Sequence, residues 1–283
     1  MLNLIKMDIY RMVHTKSLYV IAAIFAMLIV MSTALLKSDM EAVDNSSDKE
    51  VTQEIDDEMD SEDVNMGISV TAVTDDMTKV TLQNMVFPNV RGKIVALFIV
   101  IFAVMFASAD IKSGFIKNIG GIVGGREKLV LSKAAALFLY TVGMFAFYII
   151  VQGISDLIIF RYFKLGDAGQ LFSYLAAQIM LHYAFALIAM GIAIILKSSA
   201  FSMTIVVCMT FNVMMPIYAG VENLFDKIGI KDLHIINKTV TGKIGSLPMN
   251  PANKETCMAI LTAVIFGVAA TALTGFVFRK RDI

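Results

Sequence analysis

The chain has 283 residues, with 24 basic and 24 acidic side chains and a formal net charge of zero. Hydrophobic residues make up 57% and charged residues 17%, with a mean hydropathy of +0.73, whereas a soluble domain is nearer ~45–50% apolar and ~25% charged. The balance excludes a strongly basic nucleic-acid binder, and a count of two cysteines, Cys208 and Cys257, excludes a disulfide scaffold. What remains is an all-α polytopic membrane protein.

In chain order, residues 1–16 have a helical period. Leu2, Ile5, Ile9, Met12 and Val13 fall on one face, which predicts a short amphipathic helix lying along the membrane surface. Six apolar runs follow, at 17–36, 94–109, 134–155, 171–196, 200–221 and 256–278, together 129 residues. A hydrocarbon core of about 30 Å takes about 20 helical residues, so these predict six transmembrane helices. The first run is longer than the ~7–15 apolar residues of a cleaved leader, so it is read as an uncleaved span. The second, at 16 residues, is short; Lys93 at its edge is expected to snorkel to the interface.

With the N-terminus inside, the inner segments are 1–16, 110–133, Lys197 and 279–283. They hold 12 Lys/Arg and four acids, against 12 and 20 outside. The basic density at the span ends, Arg279, Lys280 and Arg281 included, places both termini on the cytoplasmic side. The loops 37–93 and 222–255 are then extracellular. Residues 38–63 carry 12 Asp/Glu against Lys49, a net of −11, which predicts a solvated acidic loop. Residues 222–255 mix apolar and charged positions and predict short helices on, or dipping into, the outer interface.

Signatures of chemistry are absent. No HExxH, GxSxG or Cys/His cluster at metal spacing occurs, and no paired carboxylates lie deep in a span as an intramembrane protease would need. His182 lies one helical turn after Gln178; the pair suits interhelical hydrogen bonding, a place on a substrate path or a proton relay. Gly120, Gly121, Gly124 and Gly125 have the density of a phosphate loop, but Arg126 and Glu127 stand where Lys and Ser/Thr would be needed. The chain is therefore read as binding no ATP, cofactor or metal of its own, and as no enzyme.

The loop 110–133 is the most informative segment. Ile111, Phe115 and Ile119 recur every fourth residue and make one apolar ridge, flanked by Lys112 and Lys117 and ended by Gly120 and Gly121. Such a ridge suits a groove on another protein, or packing on its own span ends. Its residues, Asp110, Ile111, Lys112, Ser113, Gly114, Phe115, Ile116, Lys117, Asn118 and Ile119, then Arg126 and Leu131, Ser132 and Lys133, resemble the signature of type-2 ATP-binding-cassette (ABC) permeases. Those of Gram-positive bacteria that export antimicrobial peptides or phenol-soluble modulins are most similar. Asp110 stands where the family more often has Glu, and Gly125 replaces the Ser of a Ser-Arg pair.

The resemblance implies a single permease domain over 1–283, paired with a second permease copy and with two copies of a separate ATPase that holds ATP and magnesium. Residues 110–119 with Arg126 would form the coupling helix, and alternating access would carry an amphipathic peptide substrate across the lipid. The second and fifth spans would line the path, which points to Phe98, Phe102, Met105, Met209, Asn212 and Met215, residues that equally suit ordinary helix packing. Export of lipids, drugs or polysaccharide, and a non-transporting immunity or sensor subunit, remain open at this point.

Overall fold

The computed structural model describes residues 1–45, 80–112, 114, 125, 127–213, 216, 219–222 and 235–280. Among these there is no strand. The helices are α1 (Leu2–Val13), α2 (Lys16–Asn45), α3 (Leu82–Arg91), α4 (Ile94–Lys112), α5 (Glu127–Ile159), α6 (Ala168–Leu196), α7 (Ser199–Thr210), α8 (Ile235–Lys238), α9 (Val240–Ser246) and α10 (Asn253–Lys280).

Five of them (α2, α4, α5, α6 and α10) are long and apolar enough to cross a membrane. They run past the apolar stretches that announce them. The 33 residues of α5 span ~50 Å at 1.5 Å per residue, because Glu127, Lys128 and Lys133 are good helix formers that no hydropathy window counts. The fifth apolar run behaves differently. Its described helix, α7, has 12 residues and stops at Thr210. Asn212 there takes a left-handed backbone, φ 56°, which Asn tolerates better than most residues, and Pro216 follows four residues later.

α6 is the hub, packed against α10, α4, α9, α5 and α7. It begins under an Asp167 cap, whose carboxylate accepts from the Gly169 and Gln170 amides at 2.9 and 3.2 Å. Against α10 it packs closely through small residues. Ala259, Ala263, Gly267 and Thr274 are, with Phe278 near its end, the buried residues of α10, and a Cβ on Gly191 would lie 2.6 Å from the Thr274 hydroxyl. Small residues let two apolar helices approach where lipid supplies no hydrophobic drive. An aromatic group holds α2, α4 and α5 together: the Phe25 ring lies 5.1 Å from Phe98 and 5.8 Å from Tyr148.

Short helices pack inside the long ones. α3, within the predicted loop 37–93, is not on the surface: Leu82, Gln83 and Met85–Val90 are all buried among α2, α4, α5 and α9. It starts at a Thr81 cap that accepts from the Asn84 amide at 3.3 Å and ends at Gly92. α8 and α9, within the predicted loop 222–255, form so tight a pair that a Cβ on Gly242 would fall 1.8 Å from the Ile236 carbonyl oxygen. α9 buries Val240, Thr241 and Ile244 against α6 and α3.

The bundle has two ends. Asp8 of α1, Asp110 of α4, Lys133 of α5, Ile194 of α6 and Phe278 of α10 surround one small cavity, so the described ends of both termini meet at what is called here the α1 end. At the far end, Lys164 accepts through its carbonyl from the Leu82 amide at 2.8 Å, and Ser173 meets Thr256 at 3.1 Å.

Candidate functional site

At the α1 end, four charged side chains from three helices converge. Asp110 receives Arg11 of α1 on one carboxylate oxygen and Lys133 of α5 on the other. Lys133 also lies over the Phe106 ring, 4.4 Å from its centroid, a cation–π contact strengthened by burial. Asp8 accepts from the Ser132 hydroxyl. Burial raises its carboxyl above the ordinary aspartate value, opposed by Lys133 and by the Ser132 hydrogen bond. Asp8, Asp110 and Lys133 are all buried, and buried charges persist only when paired and hydrogen-bonded.

This arrangement revises the reading of α1. Its apolar stripe does not lie whole on a lipid surface: Met12 is buried against the bundle, while Leu2 and Val13 remain exposed. Asp8, off that stripe by periodicity, is on the buried side because Ser132 and Lys133 meet it there. Asp110 and Ile111 are the last residues of the predicted coupling segment with described side chains; Lys112 continues the helix and Gly114 turns, with φ 66°. Ser113, Phe115, Ile116, Lys117, Asn118, Ile119 and Arg126 lie outside the described residues.

The predicted path residues separate. Phe98 is buried against Phe25, and Phe102 is stacked on Tyr140 at 4.1 Å between centroids, so both pack inside this chain. Met105, on the same helix, is exposed. Met209 packs partly buried on the core, and Met215 lies outside the described residues. Asn212 is buried and accepts a hydrogen bond from the Lys93 ammonium.

Lys93 does not snorkel. It is 3% exposed, at the Gly92–Lys93 turn between α3 and α4, where its own φ is 63°. No carboxylate lies within ion-pair distance among the described residues, and burial pushes its ammonium down to about 8. The C-terminal ends of α3, α7 and α9 lie around it: Arg91 ends α3, Asn212 follows α7, and a Cβ on Gly245 of α9 would sit 3.6 Å from Lys93 Cε. Helix C-termini carry partial negative charge, which favours a cation there. Nearby, Gln178 donates to the Ile244 carbonyl at 3.1 Å, tying α6 to α9, and His182 Nδ1 donates to the Gln178 carbonyl at 2.7 Å. The His182 ring stands edge-on to Phe145 at 4.9 Å. Through these two bonds Gln178 and His182 take part in helix packing.

Sequence reasoning missed a second polar group at the far end. Ser32 donates to Asn89 at 2.7 Å, Asn89 to Gln152 at 3.2 Å, and Gln152 to Thr33 at 3.0 Å and to Asp156 at 2.8 Å, all buried. The signal for it was weak: single polar residues scattered through three segments, in register only after folding. No family model, curated protein or solved structure matches this chain.

Proposed function

We propose that this chain is the permease subunit of an ATP-driven exporter of the type-2 ABC class, moving amphipathic peptides by alternating access. Two copies of a separate ATPase, holding ATP and magnesium, and a second permease copy complete the assembly. The observation that carries the reading is the position of Asp110. It opens the segment that resembles a coupling helix, and its carboxylate is shared by α1 and α5. Force applied to that segment is therefore delivered to α1, α4 and α5 together rather than lost in a loose loop.

The topology supports six crossings. α6 ends at the α1 end and α10 begins at the far end, which supports one more crossing between them, and α7 extends from the end of α6 as far as Lys93. Both termini then share a side, which the basic ends assign to the cytoplasm. The exposed apolar faces of α2 and α10, including Met27, Leu35, Ile265 and Phe276, suit lipid and a second permease copy.

The test is co-expression and co-purification with a candidate ABC ATPase subunit. Phe115→Asp is expected to abolish ATPase association and peptide export while membrane insertion is retained. Unchanged association and export would refute the coupling assignment.

A further inference from the structure

The buried Asp, Lys and His side chains among the described residues are Asp8, Lys93, Asp110, Lys133, Asp156 and His182, the last held by its Nδ1 bond to the Gln178 carbonyl. Asp8, Lys93, Asp110 and Lys133 are explained above by ion pairs, a hydroxyl donor or helix C-termini. Asp156 is not. It lies one turn before the end of α5 and is 4% exposed. One carboxyl oxygen accepts from Gln152 at 2.8 Å; the other is fully enclosed and has no hydrogen-bond partner among the described residues.

Several charged and titratable groups on the elements packed around it are engaged elsewhere. On α2, Lys37 donates to the Ile159 carbonyl at 3.3 Å and pairs with Glu41 at 3.4 Å. On α3, Arg91 lies over the Phe87 ring, 5.8 Å from its centroid. On α5 itself, the Tyr148 hydroxyl donates to the Val86 carbonyl at 3.2 Å. No cation lies within ion-pair distance of Asp156 among the described residues. One helical turn further along α2 and α5, Leu36, Met40, Val80, Met85 and Phe160 form a separate apolar cluster, which closes that side to water.

An unpaired buried charge costs far more than an unpaired buried hydroxyl. We propose that Asp156 is an intramembrane proton-binding site, holding a proton for as long as α2, α3 and α5 enclose it. Through Gln152 and Asn89 the bound proton stabilises the seating of α3 against α2 and α5. Release of the proton to water leaves a carboxylate that the enclosed site does not solvate, so ionisation and the unseating of α3 occur together. This inference does not depend on the exporter reading; it needs only the membrane-embedded fold.

Infrared spectroscopy on the purified full chain in lipid vesicles tests it, because a carboxylic acid absorbs at higher frequency than a carboxylate and clear of the amide bands. Wild type minus Asp156→Asn at neutral pH is expected to leave one carboxylic-acid band, which is lost as the pH is raised. A difference showing only carboxylate absorption, or a carboxylate band that shifts when sodium replaces potassium, overturns the proposal in favour of a free charge or a bound cation. If Asp156→Asn does not fold, the wild-type acid band is assigned with Asp8→Asn. Persistence of the band in that variant supports Asp156, and its loss there overturns the proposal.

Discussion

Replacing Lys93 by Met asks whether a lone buried cation at the α3–α4 turn costs the fold what its surroundings imply. The ordinary lysine value is 10.5 and burial takes it to about 8, so keeping the ammonium charged at pH 7 costs ~3 kcal/mol. Against this stands its hydrogen bond to Asn212, worth ~1.5–3 kcal/mol for a charged donor. Met fills a similar volume without charge, so at pH 7 the two effects nearly cancel and Lys93→Met is expected to match wild type within ~1 kcal/mol. The pH dependence separates them. Between about 8 and 10.5 the unfolded chain binds a proton at Lys93 that the folded chain has released, so wild-type stability rises with pH across that window. The rise should approach ~3 kcal/mol, or roughly 6 °C in Tm for a chain of this size, and Lys93→Met should lack it. The chain has no Trp, so thermal unfolding is followed by circular dichroism in detergent. A wild-type-minus-variant difference that stays constant from pH 7 to 10.5 would refute the argument.

At the opposite end, Asp110→Asn removes the acid shared by Arg11 and Lys133 and should cost ~3–5 kcal/mol by stranding the buried ammonium. Adding Lys133→Met should recover most of that loss, and a double variant as unstable as the single would show that the charges are not coupled. In the α6–α10 contact, Gly191→Val puts a side chain onto the Thr274 hydroxyl and should cost ~1–3 kcal/mol through overpacking. Thr274→Ala should partly restore it; an unshifted melting curve for Gly191→Val alone would mean that the helices have room to part.

The long membrane helices were legible in the sequence because ~20 apolar residues without charge have few other fates. Their ends were not, since hydropathy marks the lipid and not the helix: Lys37–Asn45 extends α2 and Glu127–Lys133 opens α5 without an apolar run. α3 left a readable trace that the acid density of 38–63 overshadowed. Thr81 is a cap residue, and Leu82, Met85, Val86 and Val90 recur at helical spacing. The seating of Lys93, Asp8 and Asp156 was out of reach for another reason. Arg11 and Asp110 are 99 residues apart, and Ser32 and Asn89 are 57 apart. A polar residue in a single sequence announces that it needs a partner without saying which one. Asn212 shows the limit most directly: its polarity in an apolar run picked it out, and its bond to Lys93 was visible only once α4 and α7 lay side by side.

The two ends of the bundle hold their buried ionisable groups in opposite ways. At the α1 end Asp110 faces Arg11 and Lys133, and Asp8 faces Ser132 with Lys133 close enough to act on it. Pulling any one of these away strands its neighbour, so α1, α4 and α5 move as one body there. Away from the α1 end, Lys93 bonds to the amide of Asn212, and Asp156 to the amide of Gln152. Separating an ion from a neutral amide leaves no second charge behind, and water reaching the ion repays what the amide gave. α3 lies between these two groups, hinged at Gly92–Lys93 and tied through Asn89 to Gln152. Rearrangement around α3 therefore strands no second charge, whereas rearrangement around Asp110 does.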